Sequence, residues 1–413
     1  MNRNQWLCSA VAVVGLLALA QNSIAGPMDQ AKRMHDHLTG VPPSEAVLQQ
    51  MVAYIKNGSA KNAALLAIDN DYFYDVMLPN WFSTWTNVAL DPHVDLNDYS
   101  ATAIGLIRDD IGFDQVLYGD VLYTGNDALV SSLNANGSVA VKRQIAPYLN
   151  TSNQHYIDLQ NVRINPADIT DTTSAARIMR IHLKQFLVKK QQSAVTGISD
   201  TAGVLTTRAA GLAYFSAGTN RREARFAFKN FLCMDMPQLQ DTSRPDFRVR
   251  RDVDRMPGGD SRTFKQTCVG CHGGMDALAG AFAHFDFVNN QLMYTPSAVQ
   301  AKYNKNNTVF PGGFVTIDDS WLNLWIAGAN SALGWNGNGS GNGARQFGKM
   351  ISQTDQFSYC MAKRVFNRVC LRDPVTAEED QIRRLAGDFA ANGRFSMKDL
   401  FAAVATLPQC MGD

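Results

Sequence analysis

This sequence has no excess of charge of either sign. It contains 38 Lys and Arg residues against 37 Asp and Glu residues, and no basic stretch stands out. Proteins that neutralise a phosphate backbone concentrate Lys and Arg on one surface, so we expect no binding to nucleic acid. Internal repeats are also missing, which argues against a repeat architecture.

Long hydrophobic runs are missing after residue 25. A helix that spans a bilayer needs about 20 consecutive apolar residues, and no later segment supplies them without charges. We therefore expect no transmembrane segment in the mature chain. The first residues differ, because Arg3 precedes an apolar run over 6–20 and Ser23-Ile24-Ala25 ends in small residues. This order is typical of a secretory signal peptide, so we expect cleavage after Ala25 and a periplasmic or secreted protein.

Apolar residues recur at helical spacing along most of the remaining chain, which predicts a mainly-α fold. Residues 124–171 are rich in Asn, Gly and Ser, so we expect a loop-rich insert with short strands there. A polar connection over 191–201 suggests a domain boundary near residue 195. We predict a signal peptide at 1–25, an amino-terminal helical domain at 26–195 and a second domain at 196–413. The helices predicted in these two domains are 44–56, 61–68, 99–107, 173–190, 275–287, 356–369, 376–391 and 397–405.

The most informative string is Cys268-Val269-Gly270-Cys271-His272. Two thiols separated by two residues can each add to one vinyl group of a porphyrin, and the His that follows is then held beneath the iron as proximal ligand. The string therefore predicts one covalently bound haem c. It also predicts that 196–413 contains a helical cytochrome c-like haem domain followed by a C-terminal three-helix segment.

Two other chemistries use a CxxC pair. A structural zinc site needs further ligands at suitable spacing, and no second CxxC or His pair follows. A redox dithiol belongs in a strand-to-helix turn of an α/β domain, whereas this motif follows Arg262-Thr263-Phe264 and leads into an apolar stretch. The adjoining His272 and the expected export both favour haem.

The distal ligand of the iron is less constrained by sequence. Met256 precedes Pro257-Gly258-Gly259, a loop in which its side chain can turn towards the iron, and it is our first candidate. Met275 lies one helical turn after His272, so we expect it to pack in the core. An iron with an open or water-bound position is the alternative. The remaining candidates are His284, Met293, Met350 and Met361.

Four cysteines remain in the mature chain outside the motif: Cys233, Cys360, Cys370 and Cys410. An even number in an oxidising compartment suggests two disulfides. If the last three helices run up, down and up, the ends bearing Cys370 and Cys410 fall on the same side. We therefore expect Cys370 to pair with Cys410, which leaves Cys233 for Cys360.

The string from Cys271 to Leu278, followed by Phe282 and Phe285-Asp286, resembles the haem segment of planctomycete-type cytochrome c proteins. The resemblance covers most of the mature chain, although only the haem motif is specific. It implies one haem per chain among several domains without an assigned activity. This sequence departs from the pattern at Gly273-Gly274 and in its extra cysteines. The other stretches that resemble the family are 33–44, 107–114, 203–208, 220–231 and 357–371.

Three functions are compatible with these features. The first is electron transfer in the periplasm or cell envelope by a mono-haem cytochrome, which requires a redox partner protein. The second is a haem-dependent oxidoreductase, peroxidase-like or oxygenase-like, with an open iron site. The third is an envelope module that binds a glycan or a protein through tryptophans. The sequence identifies no small-molecule substrate for any of them.

The second and third functions each point to particular side chains. For acid–base chemistry the candidates are His35, His37, His93, Asp109 and Asp110. We expect the first two to be solvated and the two aspartates to cap or break a helix. For a binding surface the candidates are Trp81, Trp85, Trp321, Trp325 and Trp335, although scattered aromatic residues usually belong to the core.

Overall fold

The protein is described here by a computed structural model, which covers residues 25–135, 145–164, 179–180, 182–216 and 218–412. Helices account for 58% of the structure and strands for 8%, which confirms the prediction of a mainly-α fold. Residues 1–24, which hold nearly all of the expected signal peptide, lie outside the described residues. Within the described residues no helix is both long and apolar enough to cross a bilayer.

The longer helices are numbered in chain order. They are α1 Pro27–Thr39, α2 Glu45–Lys56, α3 Ala60–Ile68, α4 Leu78–Thr86, α5 Asp98–Arg108, α6 Asp127–Ala135, α7 Gln154–Asn161, α8 Arg221–Phe231, α9 Val269–Leu278, α10 Gly343–Ser352, α11 Asp355–Cys370, α12 Glu379–Ala390 and α13 Met397–Ala405. The strands are β1 Leu122–Gly125, β2 Arg163–Ile164, β3 Met179–Arg180, β4 Leu187–Lys190, β5 Phe285–Val288, β6 Gln291–Tyr294, β7 Ser320–Leu322 and β8 Ser340–Asn342. The described strands form antiparallel pairs only: β1 with β4, β2 with β3, β5 with β6 and β7 with β8.

The amino-terminal helices follow from local signals. Helix α2 begins where expected because the Ser44 hydroxyl accepts a hydrogen bond from the backbone N–H of Val47. Helix α5 begins with a reciprocal capping box, in which Asn97 and Ser100 each bind the backbone N–H of the other. The helices predicted over 44–56, 61–68 and 99–107 are therefore confirmed to within two residues. The structure adds α1, which the sequence analysis did not predict.

The middle of the chain differs from expectation in two ways. The insert predicted as loops and short strands also contains α6 and α7. The helix predicted over 173–190 is confirmed only at Leu183–Phe186. It is wrong at Met179–Arg180, which form β3, and at Leu187–Lys190, which form β4 and pair with β1 in the register Leu122 to Lys190. A strand partner more than 60 residues away has no local signal, so tertiary pairing outweighs the helical spacing. Residues 173–178 and 181 lie outside the described residues.

The helix that carries the CxxCH motif is shorter than predicted. Helix α9, called the motif helix below, ends at Leu278, and one tighter turn follows over Ala279–Phe282. The chain then forms the hairpin of β5 and β6 instead of continuing as a helix to residue 287. Asn289 and Asn290 both have positive φ, 52° and 61°. Two consecutive residues of this kind form the turn that matches the twist of a two-stranded hairpin, and Asn tolerates the conformation well.

The C-terminal segment has the predicted three helices, α11 to α13. Both predicted disulfides are present in the structure. Cys370 and Cys410 have Cα atoms 4.7 Å apart, and Cys233 and Cys360 have Cα atoms 5.4 Å apart. The bond between Cys233 and Cys360 joins the loop after α8 to α11.

One hydrophobic core runs through most of the described chain. Helix α13 packs on α3, and α11 packs on both α12 and α13, so the C-terminal segment closes over the amino-terminal helices. Buried apolar residues from Ala31 to Cys410 belong to the same cluster, on both sides of residue 195. The domain boundary near residue 195 stays a prediction.

Removing a disulfide is expected to destabilise the chain, and the loss grows slowly with the length of the loop that the bond closes. The C370A/C410A variant loses a link across 40 residues, and C233A/C360A loses one across 127 residues. Loop-closure entropy predicts losses of about 4 and about 5 kcal/mol respectively. Urea unfolding of the two double variants beside the wild type measures the free energy of unfolding. A variant that unfolds at the wild-type urea concentration contradicts the assigned pair.

Candidate functional site

The motif helix is preceded by a wider turn. Residues Phe264–Cys268 adopt π-helical geometry and lead without a break into Val269–Leu278. Single π-type turns within α-helices occur frequently at functional sites. The apolar side chains of Val249, Phe264 and Val269 form a small separate cluster, and Cys268 packs against it. This small core holds the first cysteine at the beginning of the motif helix.

The two motif cysteines differ from the other four described cysteines because neither is joined in a disulfide. Both are partly exposed, and the spacing of three residues places them on one face of the helix. The Cys271 thiol lies 3.8 Å from the backbone oxygen of Met236. Burial raises the pKa of the Cys271 thiol above its ordinary value.

His272 is oriented by the residue one turn further along the helix. Its Nδ1 atom lies 3.0 Å from Oδ1 of Asp276, and the His side chain is 26% exposed. An ionised carboxylate carries no hydrogen, so Nδ1 must be the donor. In the neutral ring the lone pair then resides on Nε2, which makes no hydrogen bond within the described part of the chain. Nε2 is therefore the nitrogen that is left for a metal.

Asp276 is fully buried and is held by positive charge. Nε and Nη2 of Arg221 donate to its two oxygens at 2.6 and 2.7 Å, and the backbone N–H of Arg250 donates at 3.2 Å. Burial alone raises the pKa of a carboxyl group. Here the Arg221 charge and the hydrogen bond from His272 outweigh burial and hold the pKa of Asp276 well below its ordinary value. The carboxylate is therefore ionised at neutral pH.

Arg221 serves two carboxylates at once. In addition to its bonds to Asp276, Arg221 donates hydrogen bonds from Nη1 and Nη2 to Asp252 at 2.7 and 2.8 Å. The planar guanidinium has five N–H groups in a fixed fork, which suits this double pairing. Of the two carboxylates, Asp276 is the one that contacts His272.

The expected cofactor is a haem c, and the side chains present fit it. Two reduced thiols lie one turn apart, and the adjoining His272 has a lone pair on Nε2. Among the described residues, no group of three or more His, Cys, Asp or Glu side chains is arranged to hold a bare metal ion. The zinc alternative therefore gains no further ligand from the structure.

Met256, the first candidate for the distal ligand, lies in a loop that is anchored close to the motif. Its side chain is 55% exposed. The preceding residue, Arg255, is buried, and its guanidinium carbon lies 4.6 Å from the ring centroids of both Phe264 and Phe310. Because Phe264 begins the turn that leads to Cys268, this stacking ties the Met256 loop to the motif helix. The assignment of Met256 stays a prediction.

The other candidates for the distal ligand occupy different settings. Met275, Met350 and Met361 are buried in the main core, as expected for Met275. The sulfur of Met350 already accepts a hydrogen bond from Asn323 at 3.4 Å. Met293 is 42% exposed on the hairpin strand β6. His284 does not lie on a continuous helix with His272, because the motif helix ends at Leu278.

The acid–base candidates of the amino-terminal half have structural roles or lie apart. The expectation that His35 is solvated is wrong, because it is 1% exposed and its Nδ1 lies 2.8 Å from the Val41 carbonyl oxygen. Burial lowers the pKa of His35 and of the half-buried His37. His93 is exposed, with Nε2 3.3 Å from Asp95.

The two aspartates have the capping and structural roles expected of them. Asp109 occupies the C-cap position of α5 and accepts hydrogen bonds from Arg108 and Tyr123. Asp110 accepts from the Ser396 hydroxyl and pairs with Arg394. These pairings connect α5 to the C-terminal segment.

The tryptophans belong mostly to the core. Trp81, Trp85, Trp321 and Trp325 are at most 6% exposed, and Trp335 is partly buried. Trp325 packs directly on the motif helix. A Cβ atom added to Gly274 would lie 2.1 Å from the indole Cε2. Gly274 therefore allows this approach, and the tryptophans do not form an exposed binding platform.

Asp276 and Arg221 are site residues that were not predicted from the sequence. A signal existed for Asp276, since a residue four positions after a His on a helix lies beside it. No such signal exists for Arg221, which is 55 residues away. Comparison of this chain with protein-family models, with curated proteins and with solved structures found no match.

The two glycines of the motif helix are expected to respond differently to substitution. In G274A the added methyl group collides with the rigid, fully buried Trp325 ring, so we expect a loss of about 1–3 kcal/mol. In G273A the methyl group meets Arg244 Cβ at 3.4 Å, and the gain in helix propensity of up to about 1 kcal/mol is retained. Thermal and urea unfolding measure both. Equal stability of the two variants contradicts the packing of Trp325 on Gly274.

Proposed function

We propose that this chain is an exported mono-haem c-type cytochrome that transfers electrons in the periplasm or cell envelope. In this proposal Cys268 and Cys271 form the thioether bonds and His272 is the proximal iron ligand. The observation that carries it is the pairing of two reduced thiols with a histidine whose Nε2 lone pair is left available by Asp276. The haem supplies a one-electron iron couple when it is bound.

In the proposed site, the side chains of this chain would bind the haem and orient its histidine ligand. The cysteines fix the cofactor covalently, and the contact between His272 and Asp276 sets the direction of the imidazole. The described acid–base candidates offer no general acid or base beside the motif, since Asp109, Asp110 and His35 are engaged in structural contacts. This arrangement favours electron transfer over catalysis of a substrate reaction.

Two disulfides support the proposed location. Disulfides persist in oxidising compartments such as the periplasm and the extracellular medium, and four of the described cysteines are joined in this way. The attachment of haem c also takes place after export. We therefore propose that the apolar run over 6–20 acts as a cleaved signal peptide, and that electrons pass to a partner protein in the same compartment.

Haem attachment is tested on a denaturing gel. Wild-type protein expressed with a haem-ligation apparatus is expected to keep its haem stain, because thioether bonds survive denaturation. The C268A/C271A variant is expected to lose the stain completely, and either single variant is expected to keep one thioether and a red-shifted α band. The C370A/C410A variant is the matched control, since it also loses two cysteines but keeps the motif and the bond between Cys233 and Cys360. An unstained wild-type band contradicts the proposed function.

Optical spectra test the distal ligand and separate electron transfer from an open-iron oxidoreductase. We expect a low-spin iron that does not react with carbon monoxide, with a sulfur-to-iron charge-transfer band in the oxidised state. M256A should lose this band and open the iron to carbon monoxide. M28A is the control because Met28 is not a candidate ligand and has a comparable exposure, 52%. An unchanged M256A spectrum excludes Met256 as the distal ligand. Rapid binding of carbon monoxide by the wild-type protein favours the haem-dependent oxidoreductase.

A further inference from the structure

The ion pair behind His272 has a function beyond stability. We propose that Asp276 is a positioning residue that fixes the His272 ring with Nε2 towards the iron and, as an anion, lowers the reduction potential of the haem. This inference rests on the proposed attachment of a haem to Cys268 and Cys271. It concerns the regulation of that site by residues that do not touch the cofactor.

The geometry restrains the imidazole ring. Asp276 follows His272 by four residues on the same helix, which brings the two side chains together, and Nδ1 lies 3.0 Å from Oδ1. The carboxylate has little freedom to rotate, because Arg221 holds both of its oxygens and the Arg250 N–H holds Oδ2. A hydrogen bond from a metal-bound His to such a fixed acceptor sets both the tautomer and the orientation of the ring.

The charge of the acceptor determines the direction of the effect. A hydrogen bond to a full negative charge makes the imidazole a stronger donor than a hydrogen bond to a neutral carbonyl group does. A stronger donor stabilises the oxidised iron more than the reduced iron, which lowers the potential. Asp276 has 0% side-chain exposure, so water screens this interaction little.

Arg221 partly neutralises Asp276 and so limits the effect of Asp276 on the reduction potential. The second partner of Arg221, Asp252, supplies a matched control. Its guanidinium is shared between Asp276 and Asp252, and Asp252 contacts Arg221 without contacting His272. D276N and D252N therefore each remove one negative charge from the same cluster. Of these two variants, D276N alone removes the charge that faces the ring.

The test compares the reduction potentials of the haem-loaded variants. D276N is expected to shift the equilibrium towards reduced iron by about tenfold, which equals about 59 mV for a one-electron couple. D252N is expected to shift it by less than about threefold. R221K is expected to shift it towards oxidised iron, because the three N–H groups of an ammonium cannot replace the four hydrogen bonds that Arg221 donates to the two carboxylates, which leaves Asp276 less neutralised.

A second measurement reports on the ring itself. The paramagnetically shifted proton resonances of the His272 ring should move in D276N and stay close to wild type in D252N. Equal potential shifts in D276N and D252N, or a shift of R221K towards reduced iron, overturn the inference. A wild-type chain that carries no haem overturns the proposed function as well, whereas haem-loaded variants with unchanged potentials overturn this inference alone.

Discussion

The buried ion pair between Asp276 and Arg221 is the interaction on which the candidate site depends. A carboxylate without exposure to solvent is stable only when it is paired and hydrogen bonded. Asp276 satisfies this requirement through Arg221, His272 and the backbone of Arg250. Removing one partner of such a pair costs about 3–5 kcal/mol, because the other charge stays buried. The orientation of His272 thus depends on a contact whose removal would strongly destabilise the fold.

The helix that brings Arg221 to this pair is anchored at both ends. The side-chain amide of Asn220 donates to the carbonyl oxygens of Phe282 and Phe285 at 2.8 and 2.9 Å, which fixes the start of α8 to the segment after the motif helix. Beyond the end of α8, Cys233 is bonded to Cys360 of α11. The C-terminal helices therefore help to position Arg221 and, through Asp276, His272.

Local signals made part of the structure predictable. The Ser44 cap and the CxxCH string are readable because their members are adjacent in sequence. The Asn289-Asn290 turn also carries a local signal, and it explains why the helix predicted as far as residue 287 ends earlier. Strand β4 and the Arg221 contact depend on partners more than 50 residues away. Spacing and composition carry no information about such pairs, so the pairing of Arg221 with Asp276 became visible only in the folded chain.

Buried hydrogen bonds join the amino-terminal half of the chain to the half that carries the CxxCH motif. Asp98 accepts hydrogen bonds from the backbone N–H groups of Arg208 and Ala209 at 2.7 and 2.9 Å. The Trp85 carbonyl oxygen accepts from Asn230 of α8 at 3.0 Å. The second of these contacts holds α8, the helix that supplies Arg221 to Asp276. The Asp276 side chain is fully buried, and a carboxylate acts more strongly on its neighbours where the local dielectric constant is low. The motif helix does not itself contain Arg221, so its own residues leave the Asp276 carboxylate without its partner. Residues far from the motif in sequence therefore bury and pair the group that orients His272.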